Sequence, residues 1–105
     1  MTEEFEVYYD NGQLWRKGNY KNGMREGTWV SYWDNGQLRY EGDYKNGKKD
    51  GPWVIYWSNG QLHYKGDYRN GKKEGTYVFF NRDGSKYLWS GVYRNGKKVY
   101  YVEEN

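Results

Sequence analysis

The sequence predicts an all-β fold, an up-and-down antiparallel meander of about nine strands built from four 24-residue β-hairpin repeats. Three observations predict it. First, the 15 glycines are in register: Gly12, Gly36, Gly60 and Gly84 are spaced by 24 residues, as are Gly18, Gly42 and Gly66, then Gly23, Gly47 and Gly71, then Gly27, Gly51 and Gly75, with Gly91 and Gly96 continuing two classes one residue late. Second, Asn-Gly pairs begin at 11, 22, 35, 46, 59, 70 and 95, and Asp83-Gly84 fills the remaining place. Such pairs between alternating segments are the strongest short-range hairpin signal, because a type I′ turn needs positive φ at both central residues. Third, the stretches between the pairs alternate with the period of two that a strand requires.

Each pair closes one strand and opens the next. The predicted strands are 5–9, ending at Asn11-Gly12; 14–20, ending at Asn22-Gly23; 28–33 and 38–44, joined by Asn35-Gly36; 53–57 and 62–68, joined by Asn59-Gly60; 76–81 and 87–93, joined by Asp83-Gly84; and 98–102. The repeats run approximately 5–27, 28–51, 52–75 and 76–100 within one domain over 1–105. The last is irregular: Gly84 and Gly91 are seven apart where six is the rule, which places the extra residue in the turn after Gly84, as a longer loop or bulge.

Composition agrees. Trp, Tyr and Phe supply 6, 14 and 3 residues, alanine is absent, and glycine recurs too often for any long helix, which excludes a helical bundle. No apolar run approaches the roughly 18 residues of a membrane-spanning helix. The start, MTEEFEVYYD, has neither a basic nor an apolar leader region, and there is no cysteine for disulfide or thiolate chemistry, so a cytoplasmic location is expected. A net charge of +3 does not by itself argue for nucleic-acid binding.

Counting outward from a turn centred on Asn35-Gly36, Trp33 opposes Leu38, Ser31 opposes Tyr40 and Trp29 opposes Gly42. In the next repeat Trp57 opposes Leu62, Ile55 opposes Tyr64 and Trp53 opposes Gly66, an indole over a glycine that makes room for it. This face, with Tyr44, Tyr68, Tyr77 and Phe79, is expected to be the core. The other face carries Tyr8, Trp15, Tyr32, Arg39, Tyr56, His63 and Phe80 among Val and charged residues. Tyr, Trp and Arg are the residues enriched in binding hot spots, so these seven form the candidate partner-binding row.

The segments GNYKNGMREGTW, GDYKNGKKDGPW and GDYRNGKKEGTY, followed by an aromatic pair and NG-x-L in two cases, resemble MORN repeats. More closely they resemble the bacterial variant form, in which the later glycine is followed by x-Trp or x-Tyr. The resemblance covers residues 5 to about 96. It implies a non-catalytic module making protein–protein contacts, self-associating, or in some cases binding lipid, and the bacterial variants are antitoxin-like. It brings no catalytic residues.

Enzymatic readings find little to stand on. His63 is the single histidine, so neither a His-rich metal site nor a robust Ser-His pair can be built, and no cofactor is expected. Asp10, Glu26, Asp34, Asp50 and Glu74 sit within two residues of turn glycines, where they serve turn geometry. NGKKDG and NGKKEG are hairpin turns rather than phosphate-cradling loops. The basic residues Lys21, Arg25, Lys45, Lys48, Lys49, Arg69, Lys72, Lys73, Arg94, Lys97 and Lys98 cluster at alternate turns, which a meander gathers along one side. The sequence therefore points to a protein-binding module, with self-association through edge strands as a further mode. The alternative is a peripheral binder of anionic lipid or nucleic acid through the lysine-rich side, which salt would weaken steeply.

Overall fold

The structure is a computed structural model, and it describes residues 1–86 and 90–101, the side chains of Tyr100 and Tyr101 excepted. The described residues form nine strands: β1 (Thr2–Tyr8), β2 (Leu14–Lys21), β3 (Met24–Tyr32), β4 (Leu38–Lys45), β5 (Lys48–Tyr56), β6 (Leu62–Arg69), β7 (Lys72–Phe79), β8 (Gly91–Arg94) and β9 (Lys97–Tyr101). They form one antiparallel sheet in strict chain order, the predicted meander. Among the described residues there is no helix. The predicted strand 87–93 falls partly on residues 87–89 and the predicted strand 98–102 partly on residue 102, all outside the described residues.

The Asn-Gly pairs make two kinds of turn, not eight of one kind. At Asn22-Gly23, Asn46-Gly47, Asn70-Gly71 and Asn95-Gly96 both residues have positive φ (Asn46 53°, Gly47 82°), the type I′ geometry. These two-residue turns feed straight into β3, β5 and β7, which therefore begin earlier than predicted. At the other four sites only the glycine has positive φ, and the loop has three residues. Trp33 N–H donates to the Gln37 carbonyl at 2.8 Å and Gly36 N–H to the Trp33 carbonyl at 2.9 Å, leaving Asp34, Asn35 and Gly36 as the loop. The third residue shifts the register, so Tyr32 pairs with Leu38 and Tyr56 with Leu62, not Trp33 and Trp57 as two-residue counting requires.

Asn81–Ser85 repeats the same loop, with Asn81 N–H on the Ser85 carbonyl, and Phe80 bridges Lys86 as Tyr32 does Leu38. The extra residue of the last repeat is therefore not in this turn, which has the same three-residue loop as the others.

A second irregularity places the rings. Gly27, Gly51 and Gly75 have positive φ (75°, 80° and 89°), and there the ladder to the preceding strand jumps: Gly42 pairs with Trp53 but Asp43 with Asp50. Gly51 and Pro52 are left over as a bulge, which is also why a proline is tolerated inside the sheet. The jump frees the Asp43 carbonyl, and the Trp53 indole N–H takes it at 3.0 Å. Trp29 does the same to Asn19 at 3.1 Å, and the Tyr77 hydroxyl donates to Asp67. The rings consequently lie over the preceding strand. A Cβ at Gly42 would overlap the Trp53 indole, one at Gly18 the Trp29 indole, and one at Gly66 the Tyr77 ring. The expectation that Trp53 covers Gly66 is thus corrected. Its backbone pairs with Gly66 on one side and Gly42 on the other, but the indole leans to the side where a carbonyl is free.

Trp29, Trp53 and Tyr77 are buried, at 0, 2 and 0% exposure, with Ser31 and Ser90 beside them. Neighbouring rings meet mostly edge to face, as Tyr44 does Trp53 (5.2 Å, 88°) and Tyr68 does Tyr77 (6.0 Å, 88°). The Cα extents of 47 × 31 × 13 Å are those of one twisted sheet, and the 15.3 Å radius of gyration exceeds the roughly 13 Å of a compact chain this long. Among the described residues the core is therefore a stripe of rings on one face, packed against backbone glycines rather than against a second layer.

Candidate binding surface

The three-residue loops divide the predicted partner-binding row. Because Tyr32 pairs with Leu38, Arg39 is the inserted residue and turns to the face of Trp53, where its guanidinium lies 4.6 Å over the Trp33 ring. In the same place in the neighbouring repeats, Trp15 stacks on Tyr9 at 5.2 Å and His63 on Trp57 at 3.7 Å. Trp15, Arg39 and His63 thus belong to the aromatic face, not beside Tyr32, Tyr56 and Phe80. The rings they cover are themselves anchored in the next repeat: Tyr9 O–H donates to the Tyr32 carbonyl (2.8 Å), Trp33 Nε1 to Tyr56 (3.2 Å) and Trp57 Nε1 to Phe80 (3.1 Å). Trp33, Arg39, Trp57 and His63, together with Tyr40, Lys49, Ile55 and Tyr64, line a concavity of about 450 Å³.

His63 is half-buried there, and that burial lowers its pKa from the ordinary 6.5. The unfolded chain accordingly takes up a proton first, so stability present at pH 8 begins to fall near pH 6.5 and levels off below the folded value. The melting temperature should decline over this interval, and His63→Phe, which keeps the stack on Trp57, should remove that part of the decline.

Tyr8, Tyr32, Tyr56 and Phe80 remain on the second face. Leu14 pairs with Tyr8, Leu38 with Tyr32 and Leu62 with Tyr56, giving a row of alternating ring and Leu across the sheet. All are half-buried except Tyr8, which is exposed and whose hydroxyl donates to Glu6 at 3.1 Å, raising its pKa. Beside this row, Lys17, Val30, Glu41, Val54, Lys65 and Val78 are cross-strand neighbours, so valines and charges alternate along the next line. Between the two lines, Val30, Tyr32, Leu38 and Glu41 border a shallow hollow of about 720 Å³ that reaches Glu4 and Glu6 on β1. Two-residue counting places Leu38 and Leu62 in the core; the three-residue loops pair them with Tyr32 and Tyr56 instead, so they complete this surface.

The basic side divides as well. Lys45, Lys48, Arg69, Lys72, Arg94 and Lys97 are exposed at the two-residue turns. Lys49, Lys73 and Lys98 are half-buried, as is Arg25, and turn onto the aromatic face. Lys49 Nζ stands 4.7 Å over Trp53 and 5.0 Å over Tyr68, Lys73 Nζ 5.2 Å over Tyr93, Lys98 Nζ 5.9 Å over Tyr93, and the Arg25 guanidinium 4.8 Å over Trp29. Glu26 and Glu74 accept the Asn46 and Asn95 backbone N–H groups at 3.0 Å, so each serves the two-residue turn of the following repeat rather than a turn beside it, the adjacent Gly27 and Gly75 being bulge glycines.

The chain matches the MORN repeat variant over residues 4–22, 25–46 and 49–70, each segment being one odd strand, its three-residue loop and the following even strand. A search of curated proteins finds no match. Three consecutive repeats spanning more than half of the residues, on the meander that their glycines and Asn-Gly pairs build, make this chain a member of the MORN repeat variant family, a family of non-catalytic binding repeats.

Proposed function

We propose that the chain is a non-enzymatic module that recognises another protein through the Tyr32–Leu38, Tyr56–Leu62 and Phe80 row of its second face. The observation that carries this reading is the recurrence of large apolar side chains at the same place in successive repeats, on a face that no other described element covers. A solvated sheet is served equally well by Thr or Lys there. Rings held on a rigid sheet lose little rotamer entropy on contact, which favours binding. Neutralising a partner by direct contact, as an antitoxin or inhibitor does, is the form that the likeness to bacterial variants supports.

The partner's affinity should fall by about 1–2 kcal/mol on Tyr56→Ala, with the melting transition retained. Serine at Lys48 and Lys72 should change it little. The opposite pattern, steepened by salt, would transfer the function to the exposed basic turns and to an anionic surface.

A further inference from the structure

The two-residue turns align four cross-strand pairs on the aromatic face: Tyr20 with Arg25, Tyr44 with Lys49, Tyr68 with Lys73, and Tyr93 with Lys98. Phenol and cation therefore alternate from β2 to β9. Arg25 Nη1 donates to the Tyr44 hydroxyl at 3.0 Å, and Lys49 and Lys73 lie over the Tyr68 and Tyr93 rings of the next pairs, so successive pairs are joined side to side. The rings hold Arg25, Lys49 and Lys73 by their π faces, an attraction that leaves the positive charge on these three uncancelled. Strand alternation sends the adjacent carboxylates, Glu26, Asp50 and Glu74, to the other face. Lys49 feels the result: burial lowers its pKa, and the charges of Lys73 and Arg25 lower it further.

Spacing says what would relieve this repulsion. Arg25, Lys49 and Lys73 stand on alternate strands, and two interstrand steps are about 9.6 Å. A polyproline II chain has three residues per turn at about 3.1 Å each, so its side chains recur on one side every ~9.3 Å. An extended β-strand instead repeats on one side about every 6.7 Å and slips out of step. A single-stranded nucleic acid needs open ring faces on which to stack bases. Here Trp29 and Trp53 have a glycine backbone beneath and a cation above.

We propose that this band binds an acidic peptide segment in polyproline II conformation, with a carboxylate at every third residue meeting Arg25, Lys49 and Lys73 in turn. The neighbouring Tyr hydroxyls are hydrogen-bond donors to the same carboxylates. This site is separate from the apolar row on the second face.

The test titrates two synthetic peptides of identical composition into the whole chain at low salt, followed by calorimetry. One is (Glu-Pro-Pro)₄; the other has its four glutamates contiguous. The in-step peptide should bind about tenfold tighter, the scale of one or two ion pairs. Lys49→Gln with Lys73→Gln should cost it about tenfold, Lys49→Arg with Lys73→Arg should retain it, and Tyr56→Ala should leave it unchanged. Equal affinity for the two peptides, or binding of neither, would overturn the proposal. So would loss of binding in Tyr56→Ala, or oligo-dT binding more tightly than the in-step peptide. If the Gln variant fails to fold, the peptide comparison on the unaltered chain decides.

Discussion

Truncating Trp53 to alanine should cost the sheet about 3–5 kcal/mol, the range for deleting a fully buried indole. The loss has three parts that the structure locates. The ring is 2% exposed, and its removal opens a void above Gly42 that no second layer can collapse to fill. The Asp43 carbonyl loses its donor, because the bulge at Gly51-Pro52 has already taken that group out of the ladder. Tyr44 and Tyr40, which pack on the indole at 5.2 and 5.7 Å, lose their ring contact, and Lys49 its π face. Urea unfolding should show the shift in midpoint. Trp53→Phe, which fills most of the void without restoring the donor, should recover more than half of it. A midpoint within about 1 kcal/mol of the parent chain would mean that the glycine-backed rings are not what holds the sheet together.

Placing valine at Gly42 should cost about 3 kcal/mol, the upper part of the overpacking range. A side chain there meets the Trp53 ring carbons head on, and neither partner can retreat: one is backbone, and the other is pinned by its own hydrogen bond. The decisive measurement is the double variant. With Trp53 already alanine, the valine enters the space the indole left, so the two penalties should fall short of their sum by about 1–3 kcal/mol. Strict additivity would show that the indole does not lie on Gly42. At Gly66 the same substitution meets Tyr77 instead.

Much of this architecture is legible in the sequence, because repeat spacing and strand alternation are arithmetic. The meander, and the pairing of Trp29 with Gly42, Ser31 with Tyr40 and Ile55 with Tyr64, follow from counting alone. Counting fails where one residue is inserted. Asn35-Gly36 and Asn46-Gly47 look alike as letters, yet the first is the end of a three-residue loop, and that residue carries Leu38 to one face and Arg39 to the other. A strand residue flanked by glycine on both sides also leaves open which way its ring leans. The choice falls to a carbonyl that only the bulge sets free. The phenol–cation band was readable in YKNGMR, YKNGKK, YRNGKK and YRNGKK, where Tyr and the cation stand symmetrically about each two-residue turn. The turn that a cation flanks does not say which face it takes, and only the face separates Lys49 and Lys73 from Lys48 and Lys72.

The direction of the bonds between repeats has a kinetic meaning. Side chains at one end reach forward, as Asn11 does to Asp34, Asn35 to Ser58 and Asn59 to Arg82, across 23 residues each. Every strand lies beside its neighbours in sequence. Sheet proteins usually fold slowly because distant segments must find one another before any contact repays the loop entropy. Here the search never extends much beyond one repeat. Any hairpin can serve as the nucleus, and growth proceeds in both directions by adding the adjacent strand, more like the zipping of a linear polymer than the collapse of a globule.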